Sequence, residues 1–285
     1  YLKTKEIIDT DILGKISLVE VCTNRNDPNG AWQYEIHKDA SQQTIDWDLF
    51  TGDGPKRPFS LERFFRWRCW WDYGTGLSGD LLTHEYDAIN QLLQLGIPES
   101  VGASGGVYFY QDGREVPDVW QAVLEYPSRD LTMLYSATLS SNRNRGKVIM
   151  CHDASLEIGE NLNVFADTES TRYKEKIQAG IIDPRIPIFS YIPGRKKMDA
   201  VTTATEAYFA GRGLLYTYIN GKRVDTTFLH IREWIEGIRT GKQPSCDIEQ
   251  GFQEAVPATM AHLASREGIR ENWVDPKTPG VKSEP

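Results

Sequence analysis

Hydrophobic positions along this chain change their period several times, and the changes predict its elements. Tyr1 to Gly14 has the spacing of a helix closing at a glycine, and Lys15 to Cys22 then alternates like a half-buried strand. Asn26 to Gly30 is a turn cluster. From there to Gly54 the aromatics Trp32, Tyr34, Trp47 and Phe50 follow no clean period, which predicts a long ordered loop. A break between Pro55 and Pro58 precedes Arg63–Trp71, whose aromatic content predicts a strand or extended segment. A glycine-rich turn, Gly74 to Gly79, then runs into a predicted helix from Asp80 to Leu95, stopped by Gly96 and Pro98.

Beyond Glu99 the pattern turns to strands: Ser100–Tyr110, Val119–Tyr126, Leu131–Leu139 and Lys147–Ile158, with a turn at Gln111-Asp112-Gly113. Strands joined by such short turns pair antiparallel, so the class is α+β with an antiparallel meander and not a doubly wound parallel sheet. From Asn163 to Thr227 the reading mixes a helix at Arg172–Ala179, prolines at 184 and 187 and a glycine-rich stretch at 211 to 213. Two amphipathic helices follow, Phe228–Thr240 ending at Gly241, and Asp247–Arg266 with Asp247 as its N-cap. Residues 1–275 are expected to form a single domain and 276–285 a polar tail. No internal repeat is visible.

Composition narrows the function classes. The chain has 285 residues, 40% hydrophobic and 25% charged, which is ordinary globular usage. A net charge of -8 argues against a nucleic-acid or anionic-membrane surface, and the basic run Arg195 to Lys197 is short enough to be a solvated loop. The abundant Trp, Tyr and Phe suit a sheet core or a sugar-binding face. Cys22, Cys69, Cys151 and Cys246 form no Cys-x-x-Cys pair, so a zinc site has no support. No run reaches the length of a membrane span. The start at Tyr1, without Met and with a helix under way, is read as the C-terminal fragment of a longer protein.

Candidate chemistry concentrates between Gly74 and Asp87. The turn matches the dinucleotide fingerprint G-x-G-x-x-G literally, but the segment before it is rich in Arg and Trp, and Asp80 would add negative charge where a pyrophosphate belongs. The glycines are therefore read as a helix-starting turn. At about 100° per residue, Asp80, His84, Asp87 and Gln91 share one polar stripe, opposite Leu81, Leu82, Tyr86, Ile89, Leu92 and Leu93. An acid beside a histidine suits general acid–base work, and nearby glycines let a ligand approach. Glu85 falls within the apolar stripe and should have a buried partner, with Arg66 or Arg68 expected.

These residues resemble the C-terminal domain of the Gfo/Idh/MocA oxidoreductases. The matching pieces are Gly14-Lys-Ile16, the run from Ile45 to Pro58, Trp67 to Gly76, Asp80 to Asp87, and Ile238 to Pro244. The resemblance implies an open, largely antiparallel sheet with helices packed on one face, as in the C-terminal domain of glucose-fructose oxidoreductase. It also implies a separate Rossmann domain holding NAD or NADP, so that residues 1–13 would be a helix entering from that domain and this chain alone would hold no cofactor. His84 would exchange the proton of a reacting hydroxyl, with Asp80 orienting it. Arg25, Asn26, Trp47, Arg66 and Tyr73 are the expected substrate-side residues, since polar donors and flat aromatic faces suit a hydroxylated ring. The expected substrate is a sugar, cyclitol or derivative, and the expected assembly a homo-oligomer through the sheet. An NAD-dependent glycosidase of the same family and a non-catalytic sugar-binding module are the competing readings.

Overall fold

The computed structural model describes residues 1–159, 161–191, 216–219 and 222–276. The Arg195 to Lys197 run, the glycine-rich stretch at 211 to 213 and the tail beyond residue 276 lie outside the described residues. The chain divides into two compact units, one of Tyr1–Glu20, Gln91–Gln94 and Gly146–Gln253, the other of Val21–Asn90, Leu95–Arg145 and Glu254–Pro285.

In the first unit, helix α1 (Leu2–Asp9) leads through a turn at Gly14 into the start of β1 (Ile16–Asn24). The helix stops earlier than its sequence pattern suggests. Thr10, not Gly14, is the C-cap, and its hydroxyl donates back to the Ile7 carbonyl at 2.6 Å. Gly14 is needed for closeness instead. With φ +73° it passes Asp153 so tightly that a Cβ would lie 2.6 Å from Oδ2. The Asp153 carboxylate accepts from the Ser170 hydroxyl (2.7 Å) and the Arg172 amide (2.9 Å), bonds that hold its carboxyl below the usual aspartate range against the opposing effect of burial.

Strands β5 (Lys147–Cys151), β6 (Ala154–Ile158), β7 (Leu162–Ala166) and β8 (Phe189–Tyr191) of this unit pair antiparallel in sequence order. The single strand expected over Lys147–Ile158 is thus a hairpin broken at His152-Asp153. β7 was not anticipated, although its Leu162, Val164 and Ala166 alternate as buried residues. The short helix α5 (Lys174–Gln178), the hairpin of β9 (Tyr216–Ile219) and β10 (Lys222–Asp225), and helix α6 (Thr226–Thr240) complete it with the start of α7 (Ile248–Glu267). Asp247 caps α7 as expected, accepting from the amides of Glu249 and Gln250.

The second unit carries the antiparallel strands β2 (Ser100–Gly106), β3 (Val119–Tyr126), β4 (Leu131–Thr138) and β11 (Arg270–Asn272), in the order β11-β2-β3-β4. Cross-strand pairs Trp120/Ala137, Ala122/Tyr135, Leu124/Met133 and Tyr126/Leu131 put eight buried side chains on one face. Helices cover that face. Tyr86 and Ile89 of α4 (Thr83–Leu93) are fully buried, and the Tyr126 hydroxyl donates to that of Tyr86 at 3.0 Å. From α7, Ala261 and Ala264 are fully buried, and Trp120 Nε1 donates to Ser265 Oγ at 3.0 Å. Burying each large apolar side chain here is worth about 1.5–3 kcal/mol. The other face keeps Gln121 and Val123 exposed, so the sheet is open on one side.

Two sequence expectations change in this unit for identifiable reasons. Ser100–Tyr110 stops pairing at Gly106 because the fully buried Asp118 carboxylate takes the amides of Tyr108, Phe109 and Tyr110 at 2.7–2.9 Å, donors a longer strand would have used. Arg63–Trp71 is helical rather than extended: Ser60 caps α3 (Leu61–Phe65) through the Arg63 amide, and a 3-10 turn follows at Trp67–Cys69. Here capping and contacts of the aromatic and Arg side chains override β propensity. The long loop expected before Gly54 also holds a short helix α2 (Trp47–Thr51), capped by Asp46 through the Leu49 amide at 2.9 Å. The cysteines are free, three of them buried and Cys246 exposed. Among the described residues no cluster of His, Cys, Asp or Glu could hold a metal ion, and no helix is long and apolar enough to cross a membrane.

Candidate functional site

The site lies in the second unit, where the turn from Trp71 to Gly79 meets the start of α4. Asp72 anchors the turn by accepting from Arg57 Nε at 2.9 Å and from Arg63 at 2.8 Å, and the Arg57 bond is the chief reason its carboxyl sits below the usual range. Two glycines are there for space. A Cβ on Gly74 would lie 3.3 Å from the Trp67 ring, and one on Gly76, at φ +64°, would lie 2.8 Å from Val116 Cγ1. The helix then opens with a π turn, Ser78–Leu82, before becoming α-helical at Thr83. Such a turn carries more residues than an α turn, so the even 100° spacing assumed for Asp80 and His84 does not hold across it.

Around Asp80 the structure builds a cleft of about 220 Å³ lined by Trp32, Trp67, Arg68, Gly74, Thr75, Gly76, Gly79 and Asp80. The Arg68 guanidinium lies over the Trp67 ring, 4.2 Å from its centroid, and its Nε donates to Asp80 Oδ1 at 2.7 Å. Arg25 comes from the end of β1, with Nη2 3.5 Å from Asp80 Oδ2 and its guanidinium 5.8 Å from the Trp32 centroid. Trp32 itself is held at φ +65°, a left-handed conformation unfavourable for a bulky residue. What holds it is the buried Arg114, whose Nη2 donates to the Ala31 carbonyl at 2.8 Å and to Asp112 Oδ2, while Gln33 Nε2 donates to the same carboxylate oxygen at 2.7 Å.

The residues singled out from sequence divide into three groups. Asp80 lines the cleft, and Arg25, outside the lining, reaches Asp80 from beside it. His84 is exposed one turn along the helix, and among the described residues its side chain has no hydrogen-bond or ion-pair partner; the Asp80 carboxylate pairs with arginines instead. The others are held apart from the lining. Trp47 and Tyr73 pack on Phe50 with centroids 5.3 and 5.1 Å away, and Trp47 Nε1 donates to the Arg57 carbonyl. Arg66 bonds Glu62 at 2.9 Å and the Tyr34 carbonyl, and the Asn26 amide donates to Asn142 at 2.7 Å.

The partner expected for Glu85 is also corrected. Arg68 is engaged by Asp80 and Arg66 by Glu62, whereas Glu85 accepts from the Thr23 hydroxyl at 3.2 Å. Trp32, Trp67, Arg68 and Thr75 were missed as cleft residues. Arg68 and Trp67 fell in a segment read as extended, and Trp32 lies more than forty residues from the turn it faces, so no local period could have marked it.

Comparison with known proteins places this chain in a family. The family model described as oxidoreductase family, C-terminal alpha/beta domain, matches residues 5–274. Among solved structures, the WlbA dehydrogenase from Bordetella pertussis in complex with NADH and UDP-GlcNAcA is similar with a TM-score of 0.55 at 15% identity, over 95% of this chain and 60% of that one. Its counterpart from Chromobacterium violaceum, in complex with the same two molecules, gives 0.53 at 14%, over 96% and 59%. Levoglucosan dehydrogenase, in complex with NADH and levoglucosan, gives 0.53 at 16%, over 94% and 61%. At such identities the likeness is one of fold. The chain spans about three fifths of the length of these proteins. No curated protein matches it in sequence.

Proposed function

Because the chain belongs to the Gfo/Idh/MocA oxidoreductase family, as its C-terminal α/β domain, we propose that it forms the substrate side of an NAD(P)-dependent oxidoreductase acting on a sugar, cyclitol or derivative. The observation that carries this reading is the cleft at Asp80, in which a carboxylate held by Arg68 faces a glycine turn and two indoles. Hydrogen-bonding groups between flat aromatic walls suit the edges and faces of a hydroxylated ring.

The glycine turn does not fit a dinucleotide. The Asp80 amide, which a pyrophosphate would use, is taken by the Gly76 carbonyl at 2.9 Å, and the Asp80 carboxylate adds negative charge at the same place. NAD(P) would therefore be held by a Rossmann domain of the full-length protein, where it accepts or returns hydride. In this chain, Asp80 fixes the orientation of the bound hydroxyls, and the exposed imidazole of His84, one turn further on, takes or gives the proton of the reacting one. The uncovered face of the sheet is the expected oligomer contact.

The test uses the full-length gene product, with polyols and glycosides scanned for a change in NAD(P)H absorbance. His84→Ala is expected to lower turnover on the order of 10²-fold, the usual contribution of a general acid–base group. Turnover that survives this substitution would leave a sugar-binding or assembly role, and hydride transfer by the 285-residue chain alone would overturn the placing of the cofactor elsewhere.

A further inference from the structure

The two arginines that reach Asp80 are not equivalent, and the difference bears on the charge of the substrate. Arg68 is committed: it rests on Trp67 and makes a 2.7 Å hydrogen bond to Oδ1. Arg25 approaches the other oxygen only to 3.5 Å, and its Nε is buried with no hydrogen-bond partner. Among the described residues its guanidinium makes no hydrogen bond at all, though its side chain keeps 44% of its surface exposed. The stem is rooted firmly, since the Arg25 amide donates to the Thr138 carbonyl (3.0 Å) and its carbonyl accepts from the Ser141 amide (3.2 Å).

At Asp80 two guanidiniums meet one carboxylate. Asp80 is the only acidic residue of the lining, and Glu85, one turn further along the helix, accepts from the Thr23 hydroxyl. Of the two guanidiniums, that of Arg25, beside the cleft, is the one with unused donors. We infer that the cleft selects a substrate carrying a carboxylate, a sugar acid rather than a neutral sugar, and that Arg25 binds it. A guanidinium presents its N–H donors as a planar fork that matches a carboxylate bidentately. A single guanidinium fits a monoanion better than a phosphate dianion, of which it leaves half the charge unmatched. The Trp32 ring beside Arg25 limits the directions the fork can take, which lowers the ordering cost of binding.

This inference rests on the cleft being the substrate site, and its test is read by binding so that it stands apart from turnover. Glucose, glucuronate and glucose 6-phosphate are titrated calorimetrically into the full-length protein with NAD+ present. Glucuronate is expected to bind on the order of 10- to 100-fold more tightly than glucose, as a charge-assisted pair allows, and more tightly than the phosphate. Arg25→Gln should level glucose and glucuronate, with an unchanged circular dichroism spectrum. Arg25→Lys, which keeps the charge and loses the fork, should retain a preference reduced several-fold, and it decides the matter if the glutamine variant does not fold. Equal binding of the two sugars, tighter binding of the phosphate, no binding of any of the three, or a preference untouched by either substitution overturns the inference. A protein that prefers glucuronate yet reduces no NAD(P)+ with any substrate supports it while refuting the oxidoreductase reading. Equal kcat/KM on neutral and acidic sugars does the reverse.

Discussion

Replacing Arg114 with Met tests whether the wall of the cleft is held electrostatically. The Arg114 side chain has no exposed surface, and it donates to Asp112 through Nε at 2.9 Å and Nη2 at 2.6 Å and to the Ala31 carbonyl at 2.8 Å. It also covers the Tyr110 ring at 4.7 Å. Methionine fills similar space but leaves Asp112 without its cation and the carbonyl before Trp32 without its donor. Breaking a buried pair from one side costs about 3–5 kcal/mol, because the remaining charge is uncompensated. Asp112 keeps the Gln33 bond and 24% of its side-chain surface, which puts the expectation near the lower end, at about 3 kcal/mol.

Urea unfolding of Arg114→Met, Asp112→Asn and the double variant measures the loss and the coupling, and the double should cost less than the sum by about 1 kcal/mol or more. A single-variant loss under about 1 kcal/mol, or additive effects, would refute the account. The pH dependence gives a second check. Burial pushes the Asp112 carboxyl up, but the hydrogen bonds and charge of Arg114 outweigh it, so its folded value lies below the ordinary aspartate value. That stabilisation is present above the unfolded value and is lost as pH falls through the lowered folded one, whereas protonation relieves the uncompensated carboxylate of Arg114→Met, so the stability gap between parent and variant should narrow as pH falls through this range.

Two further substitutions and one titration follow from the packing. Gly76→Ala should destabilise by about 2 kcal/mol, read from the unfolding midpoint, because the new methyl meets Val116 Cγ1 at 2.8 Å and Trp71 at 3.1 Å in a left-handed backbone; an unchanged midpoint would show that the turn relaxes freely. Burial pushes Tyr86 up to about 12 from an ordinary value near 10. Its neutral form therefore stabilises the fold below the unfolded value, and stability should fall as pH rises from the ordinary value towards the folded one, with phenolate absorbance appearing together with unfolding. Tyr126→Phe, which removes the donor to the Tyr86 hydroxyl at 3.0 Å, should cost about 1 kcal/mol, and a neutral effect would mean that the bond contributes nothing net.

Local pattern in the sequence determined much of this protein. β3 runs from Val119 to Tyr126 as read, because strict alternation of buried and exposed residues leaves one register that buries Trp120, Ala122, Leu124 and Tyr126 together. The apolar stripe of α4, the Asp247 cap and the antiparallel class were legible for the same reason: each depends on residues a few positions apart. Where the sequence reading failed, distant partners decided. Asp118 ends β2 by taking three amides; the exception is the aromatic run at Arg63–Trp71, where the Ser60 cap is local but its signal was outweighed in the reading by β propensity.

The site divides along the same line. Asp80 beside a glycine turn could be read from the chain, whereas its pairing with Arg68 and Arg25 could not, because only the folded unit brings residues 32, 67 and 80 to one cleft and residue 25 beside Asp80. The π turn at Ser78–Leu82 has no sequence signature of its own, yet it sets how Asp80 and His84 stand to each other. Sequence determined which chemical groups are present; tertiary structure decided which of them meet, since charge pairing and desolvation depend on distance in space and not along the chain.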